Sequence, residues 1–508
     1  MTTDSQHSSS GGYFVERPEG GLIARSQLKP DAVGLAGAIM QNVTHIAPAI
    51  AAFFFTQTIV SFAGGHAPLA YLIGFIVVLA LGMCLVQLAK RFPSAGGYYT
   101  YVSRTLGPRL GFLTGWLYAL YSPIVAGPAL AYLGLIFQGE FQSYYHVTWF
   151  HWWYLVIIGL PLIALVGYLG IAPSVRTIVI VGALEFLIVL LLGLWGLADP
   201  GQGGFTFQSF SYGFNPGSIG TSSGFALAIV FTVQGLTGWE AAVPLAEETE
   251  NPRRNVPRAT MASIAIIGIM LVIVIWGQVI GWGDTNLGKL ITSPELPALV
   301  IAHRVWGSVW WLALLAMFTS VFGASIACQN VATRMWYGMG RSGVLPSAFG
   351  EVHPVRKTPT LAVTVQLVLS VLLALGAWWL GPQEMFILVL GFVLVIAVIF
   401  IYIAANVGVV VYYWREQRAH FNWILHFIFP VGTSVVLLYS LYKSFSPFPA
   451  HPYNWSPVIV AVWLIVGIGI LAALKLRGNE GWLAKASAIV EERPETTEEE
   501  KHRPAVWE

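Results

Sequence analysis

The sequence predicts an all-α polytopic membrane protein with 12 transmembrane helices, and three observations predict it. Charged residues make up 10% of the 508 positions and apolar residues 56%, whereas a soluble globular domain carries roughly 25% charge. The apolar residues gather into twelve runs, each near the ~20 residues that a helix needs to cross a hydrocarbon core about 30 Å thick. Lys and Arg fall between these runs and almost entirely on one side of the implied membrane.

Taken in order, the runs cover residues 34–62, 68–89, 109–137, 152–172 and 175–197, then 223–245, 260–282, 309–333, 360–380 and 384–410, and finally 423–442 and 455–474. Residues 1–33, with Ser-Ser-Ser-Gly-Gly near the start, are too polar for a signal peptide and read as a flexible tail. Residues 475–508, containing "EERPETTEEEKHRP", read as a solvated acidic tail.

An even number of crossings puts both tails on one side. Twenty-three of the 26 Lys and Arg lie on that side, against Lys289, Arg304 and Lys443 opposite, so both termini are expected in the cytoplasm of a cell-membrane protein. By the same count no permanent cation lies inside a run. The net charge of +2 is then an orientation signal and gives no reason to expect nucleic acid. Cys84 and Cys328 sit in apolar segments without disulfide or metal spacing. The chain shows no phosphate-binding loop, HExxH or nucleophile elbow, so neither an enzyme nor a cofactor is expected. The partners implied are the lipid bilayer and a small solute.

Of the 24 Asp and Glu, only Glu185 and Glu240 fall inside the runs. A carboxylate in a bilayer costs several kcal/mol unless paired, wetted or protonated, so each is a candidate functional group. Glu185 lies about ten residues into "VRTIVIVGALEFLIVLL", near mid-membrane at 1.5 Å per residue, where it can take and release a proton; the alternative is a hydrogen-bonded packing residue. Glu240 follows Gly235, Thr237 and Gly238. Glycine costs a helix about 1 kcal/mol relative to alanine, so two of them three positions apart favour local unwinding. Glu240 would then cap the amides of the half-helix that follows; the alternative is a glycine packing face. The first run carries a matching interruption, "QNVTHIAPAIAAFFF". Pro48 removes a donor and frees a carbonyl near Thr44, while Asn42, Thr44 and His45 bring polar groups to the same depth. Irregular backbone at membrane depth survives where it lines a protein cavity, and breaks at corresponding places in two halves point to a secondary transporter's binding site. Those places imply repeats of five runs, 34–197 and 223–410, the second inverted, with 423–474 outside them.

Three loops sharpen this. "RFPSAGGYYTYVSRTLGPRLGFLTGW" follows the second run, "AEETENPRRNVPRA" the sixth and "RMWYGMGRSGVLPSAF" the eighth. Together they resemble the cytoplasmic signatures of the amino acid/polyamine/organocation (APC) transporter superfamily, over roughly residues 30 to 475. The resemblance implies a LeuT-like fold of 5+5 inverted repeats plus two additional helices, with a substrate site at the breaks in helices 1 and 6. It also implies that a substrate carboxylate meets amides of helix 1 and its amino group meets carbonyls of helix 6. Carried over, the site residues are Thr44, His45, Ile46 and Ala47, then Gln234, Gly235, Leu236, Thr237 and Gly238, with Tyr118 and Tyr121 closing the pocket.

Two departures stand out. "THIAPAI" replaces the Gly-Ser-Gly-like turn of many members, so close backbone approach to a carboxylate loses its glycines, which leaves room for an amine. Glu185 falls where some relatives have a lysine in the place of a sodium ion, which inverts the charge. Ser325, with Thr319 and Ser320, would complete a cation site with helix 1 carbonyls, or pack as small hydroxyls commonly do. Glu185, Glu240 and Ser325 are therefore the residues expected to act in ion coupling or gating. Arg253 and Arg254 beside Glu247, Glu248 and Glu250 are expected to pair, or only to fix topology. The function expected is proton-coupled uptake of a small amino acid or related amine. Sodium coupling, exchange or a polyamine substrate are its alternatives, and a non-transporting nutrient sensor represents a different class.

Overall fold

The computed structural model describes residues 14–16, 22–24, 27–212 and 222–490. Each of the twelve apolar runs contains helix, and prolines and glycines set where the helices stop. The first run divides into α1 (Leu35–Ile46), α2 (Pro48–Phe53) and α3 (Phe55–Ala63). Ala47 makes the division by taking a left-handed conformation (φ 58°, ψ 72°), which L-residues rarely adopt. Its amide turns back to the Thr44 carbonyl at 3.1 Å, and Pro48, with no amide to satisfy, starts the next helix. The carbonyl expected to be free near Thr44 is thus taken by the very residue that breaks the helix.

The chain continues through α4 (Ala67–Ala89), a short α5 (Tyr98–Leu106), α6 (Pro108–Tyr121) and α7 (Ala126–Tyr145), which share the third run, α8 (Trp153–Leu169) and α9 (Ile171–Ala198). The sixth run opens as α10 (Ser222–Gly235). No α-helix resumes after its glycines. Turns at 236–242 lead into a six-residue 3-10 segment, Val243–Glu248, containing Pro244. Next come α11 (Pro252–Trp282), the connecting α12 (Leu287–Ile291) and α13 (Pro297–Trp306), α14 (Trp311–Ser342), α15 (Thr360–Leu380) and α16 (Pro382–Phe386). A π-helical stretch, Ile387–Val393, joins α16 to α17 (Leu394–Arg415), and α18 (Phe429–Ser444), α19 (Ser456–Leu476) and a short α20 (Trp482–Lys485) complete the set.

Among the described residues nine helical runs are long and apolar enough to cross a membrane, and α8 and Gly224–Gly235 are shorter apolar helices. This is a multi-pass membrane protein. α1 packs against α9, α11 and α14, and α11 against α4 and α9. The α9–α11 crossing is close because it is built from glycine: a Cβ on Gly277 would lie 2.0 Å from the Gly193 carbonyl oxygen, and one on Gly196 2.2 Å from that of Gly277. Small residues allow such approach where lipid gives helices no hydrophobic reason to associate. α18 and α19 form the periphery; the apolar window of the α19 run is only 11% buried, against 78% for Pro108–Tyr145.

Three helices outrun the apolar stretches that announced them. α14 reaches Ser342 instead of 333 and buries Arg334 and Arg341; α7 reaches Tyr145 instead of 137 and buries Glu140, 3.9 Å from His303; α11 begins at Pro252. Helices continue past the apolar stretch where their polar side chains find partners inside the protein. The N-terminal tail is also shorter than expected. Leu28 and Val33 are buried, the Gln27 amide donates to the Tyr337 hydroxyl, and Val33 bridges to residues 248–250. β1 (Phe14–Glu16) pairs antiparallel with β2 (Leu22–Ala24), which pairs parallel with β3 (Ile489–Val490). The two tails therefore meet on one face, called the tail face below. The acidic segment 491–508 lies outside the described residues.

Candidate substrate site

The two helix breaks meet. Gly238 (φ 116°) passes so close to α1 that a Cβ there would sit 2.6 Å from His45 Nδ1 and 2.9 Å from the His45 carbonyl carbon. Only glycine allows both that conformation and that contact. His45 Nδ1 and the Gly238 carbonyl oxygen are 3.2 Å apart, which makes the nitrogen the donor. The His45 ring meets Tyr121 edge to face at 5.7 Å. His45, Tyr121 and Gly238 are thus brought together, with Ile46 and Ala47 at the end of α1; Leu236 is buried. Gln234 and Thr237 line a small cavity with Val395, Ile399, Leu437 and Tyr402. The Thr44 hydroxyl turns to the Ile178 carbonyl at 3.5 Å.

Each break has a fully buried carboxylate. Glu185 reaches across from α9 and its Oε1 accepts the Ala49 amide at 2.8 Å, while the Ser320 hydroxyl accepts the Ile50 amide at 3.4 Å. The first open donors of α2 are capped by side chains from two other helices, as the start of a helix requires. Glu240 accepts the Tyr402 hydroxyl on its Oε2 at 2.8 Å, and its carboxylate faces the amides of Gly238 and its own residue. One oxygen of each carboxylate, Oε2 of Glu185 and Oε1 of Glu240, has no hydrogen-bond partner. Among the described residues no Lys or Arg is paired with either. A buried carboxylate in that condition is a site for a proton or a cation.

Aromatic rings surround Glu240. Tyr118 lies 5.1 Å from Tyr121 and 5.3 Å from Tyr98, and Tyr402 lies 5.3 Å from Trp239 and 6.1 Å from Tyr98, centroid to centroid. Tyr98 comes from α5, in the "GGYYTY" segment, and packs against both Tyr118 and Tyr402. On the other side Phe54, Tyr132 and Phe386 pack with centroids 4.9 to 5.5 Å apart.

The hydroxyls proposed for a cation site divide differently from the expectation. Ser320 meets helix 1; Ser325 donates to the Val321 carbonyl at 2.6 Å and Thr319 to Leu315 and Ala316, all within α14. Three or four residues along a helix are enough to turn a hydroxyl back onto its own carbonyls. The charged loop also pairs differently. Glu248 accepts Arg334 at 2.8 and 3.3 Å, and Glu247 accepts Arg341 at 2.5 and 2.8 Å and the Ala95 amide at 2.9 Å. Arg253 donates to the Lys90 and Arg91 carbonyls. Of the acids of the sixth loop, Glu247 and Glu248 therefore pair with α14. Burial holds the Glu248 carboxyl above its ordinary range even against Arg334.

Tyr402, Tyr98, Trp239 and the Arg334–Glu248 pair went unmarked in the sequence. Tyr402 sits in "VIFIYIAANVG" as the one ring hydroxyl of a long aliphatic stretch, a usable signal, whereas Arg334 stood one residue beyond its run.

The amino acid permease family model matches residues 37–479. The chain is 26% identical over 337 residues (65% of this chain, 71% of the relative) to the low-affinity putrescine importer PlaP of Escherichia coli K12. It is 27% identical over 278 residues (54% and 62%) to the L-methionine/branched-chain amino acid exporter YjeH of the same strain. It is 24% identical over 313 residues (60% and 67%) to the serine/threonine exchanger SteT of Bacillus subtilis 168. These are transporters and not enzymes. With matched residues running from the first helix past the last crossing, the chain belongs to the amino acid permease family.

Proposed function

We propose that the protein is a secondary transporter that takes up a small amino acid or related amine across the cell membrane by alternating access, together with a proton. The relatives named above include an importer, an exporter and an exchanger, and their solutes include amino acids and a diamine. The observation that carries the reading is the pair of fully buried carboxylates, one at each helix break, without a bonded cation. Glu240 offers an unpartnered oxygen to the amino group of a solute. Glu185 offers its own to a proton, and its hydrogen bond to Ala49 ties the outer half of helix 1 to α9, so loading it bears on how that half-helix is held. The excess of Lys and Arg on the tail side favours a cytoplasmic tail face.

Proton coupling is favoured over sodium by the oxygens. Sodium needs several hard oxygen ligands in one shell, yet the Thr44 carbonyl takes the Ala47 amide, Glu185 Oε1 takes the Ala49 amide, and Ser325 and Thr319 turn to their own helix. Purified protein in proteoliposomes, given an imposed pH or sodium gradient, tests this. Glu185→Gln is expected to flatten the pH dependence of uptake in folded protein. An unchanged pH profile would remove Glu185 from coupling.

A further inference from the structure

We infer that the solute is an organic cation without a carboxylate, an amine or diamine, because the protein's own glutamates occupy the positions that would hold a solute carboxylate. The inference rests on the transporter reading above and narrows its substrate class.

A carboxylate at this depth needs donors, preferably charged ones. At the helix 1 break, Pro48 has no amide, Ala49 is bonded to Glu185, Ile50 to Ser320, and Ala51 to the Ala47 carbonyl at 2.9 Å. At the helix 6 break, the Gly238 and Glu240 amides face the Glu240 carboxylate, Ala242 donates to Asn42 Oδ1 at 2.6 Å, and Ala241 and Val243 bond within the turn. The two arginines that α14 carries out of water, Arg334 and Arg341, are held by Glu248 and Glu247. Each break already holds an internal carboxylate, and a second one would meet repulsion from it with no Lys or Arg paired there among the described residues.

An ammonium meets the opposite surroundings. Glu240 is fully buried, with hydroxyl and amide donors but no Lys or Arg paired with it among the described residues, the Tyr98, Tyr118, Tyr121 and Tyr402 rings cluster about it, and the Tyr98 hydroxyl has no partner. With His45 Nε2, which the Nδ1 contact to the Gly238 carbonyl leaves as an acceptor in the neutral ring, the groups at the site are acceptors and neutral hydroxyls, which favour a cation over a zwitterion. Glu185 and Glu240 are thereby the specificity-determining residues: one fills the amide end of helix 1, the other supplies the counter-charge.

Matched solutes that differ by a single carboxylate test this on the full-length purified protein: putrescine against ornithine, cadaverine against lysine, agmatine against arginine, tyramine against tyrosine. The expected result is thermal stabilisation by at least one amine, its parent amino acid needing at least about tenfold more for the same shift, as a like-charge contact demands. Glu240→Gln should abolish the amine shift, and Tyr402→Phe, which keeps the ring and drops only the hydroxyl, should weaken it. An amino acid that stabilises as well as its amine overturns the inference and leaves transport standing. So does stabilisation confined to carboxylate-bearing or uncharged solutes in a wider panel. Retention of the full amine shift in Glu240→Gln overturns it as well. If no solute of any class crosses in proteoliposomes, the transporter reading falls and the inference with it.

Discussion

Glu247 and Glu248 at the tail face are nearly as buried as Glu185 and Glu240 in the centre, yet their surroundings are opposite. The outer two are held by Arg341 and Arg334 in forked, two-bond contacts that join the loop after helix 6 to α14. The inner two have amide and hydroxyl donors but no cation, and each keeps an unpartnered oxygen. Burial alone therefore does not assign a role to a carboxylate. A glutamate with a full complement of charge is part of the scaffold, and one left short of it is available to a proton or a solute.

Breaking an outer pair should give the largest effect. Arg334→Ala leaves Glu248 charged and buried with nothing opposite, which costs about 3–5 kcal/mol. Thermal unfolding in detergent should show a large fall in Tm for the single variant and a smaller one for Arg334→Met combined with Glu248→Leu, since replacing both partners by apolar groups of similar size is often close to neutral. A single variant no less stable than the double would remove the pair from the scaffold. Gly238→Ala comes next. The new Cβ would lie 2.6 Å from His45 Nδ1 on a residue at φ 116°, a strain of about 1–3 kcal/mol placed where the two breaks touch. Transport should suffer more than Tm does; a variant with full activity would mean that the breaks separate freely.

Glu185→Gln should cost less still, because the amide oxygen of glutamine can go on accepting from Ala49. Its effect belongs in the pH profile of uptake, as argued above, and a Tm close to that of the unaltered protein would show that α2 keeps its cap. A large loss of stability would instead place Glu185 with the outer pair, as scaffold.

The breaks were legible in the sequence because proline and paired glycines act on their own backbone: Pro48 starts α2, and the segment after Gly235 fails to return to an α-helix. Glu185 and Glu240 were legible by rarity, as acids in otherwise apolar runs. Their partners were not. Tyr402 lies 162 positions from Glu240 and Ser320 lies 270 from Ile50, and the period of a nearly uniformly apolar helix does not say which side faces the centre. Ser325 and Ser320 looked alike for that reason, until packing turned one to helix 1 and the other to its own carbonyl. Arg334 escaped notice for a different one: hydropathy marks where a helix can meet lipid, whereas α14 continues as far as protein surrounds it.

The smallest effect should come from an ion pair that resembles the outer two in geometry but not in burial. Arg104 donates to both oxygens of Glu416 at 2.9 and 3.2 Å, with its side chain 37% exposed and that of Glu416 40%. Water screens such a pair and side-chain entropy opposes it, so Arg104→Ala should cost about 0–1 kcal/mol and less as salt rises. Two forked arginine–glutamate contacts of similar length would then differ severalfold in what they contribute, with burial as the variable between them. Measuring Arg104→Ala and Arg334→Ala in the same detergent at two salt concentrations isolates it. A cost for Arg104→Ala equal to that for Arg334→Ala and insensitive to salt would mean that hydrogen-bond geometry, and not removal from water, sets the strength of these pairs, and the contrast between the inner and outer glutamates would have to rest on their partners alone.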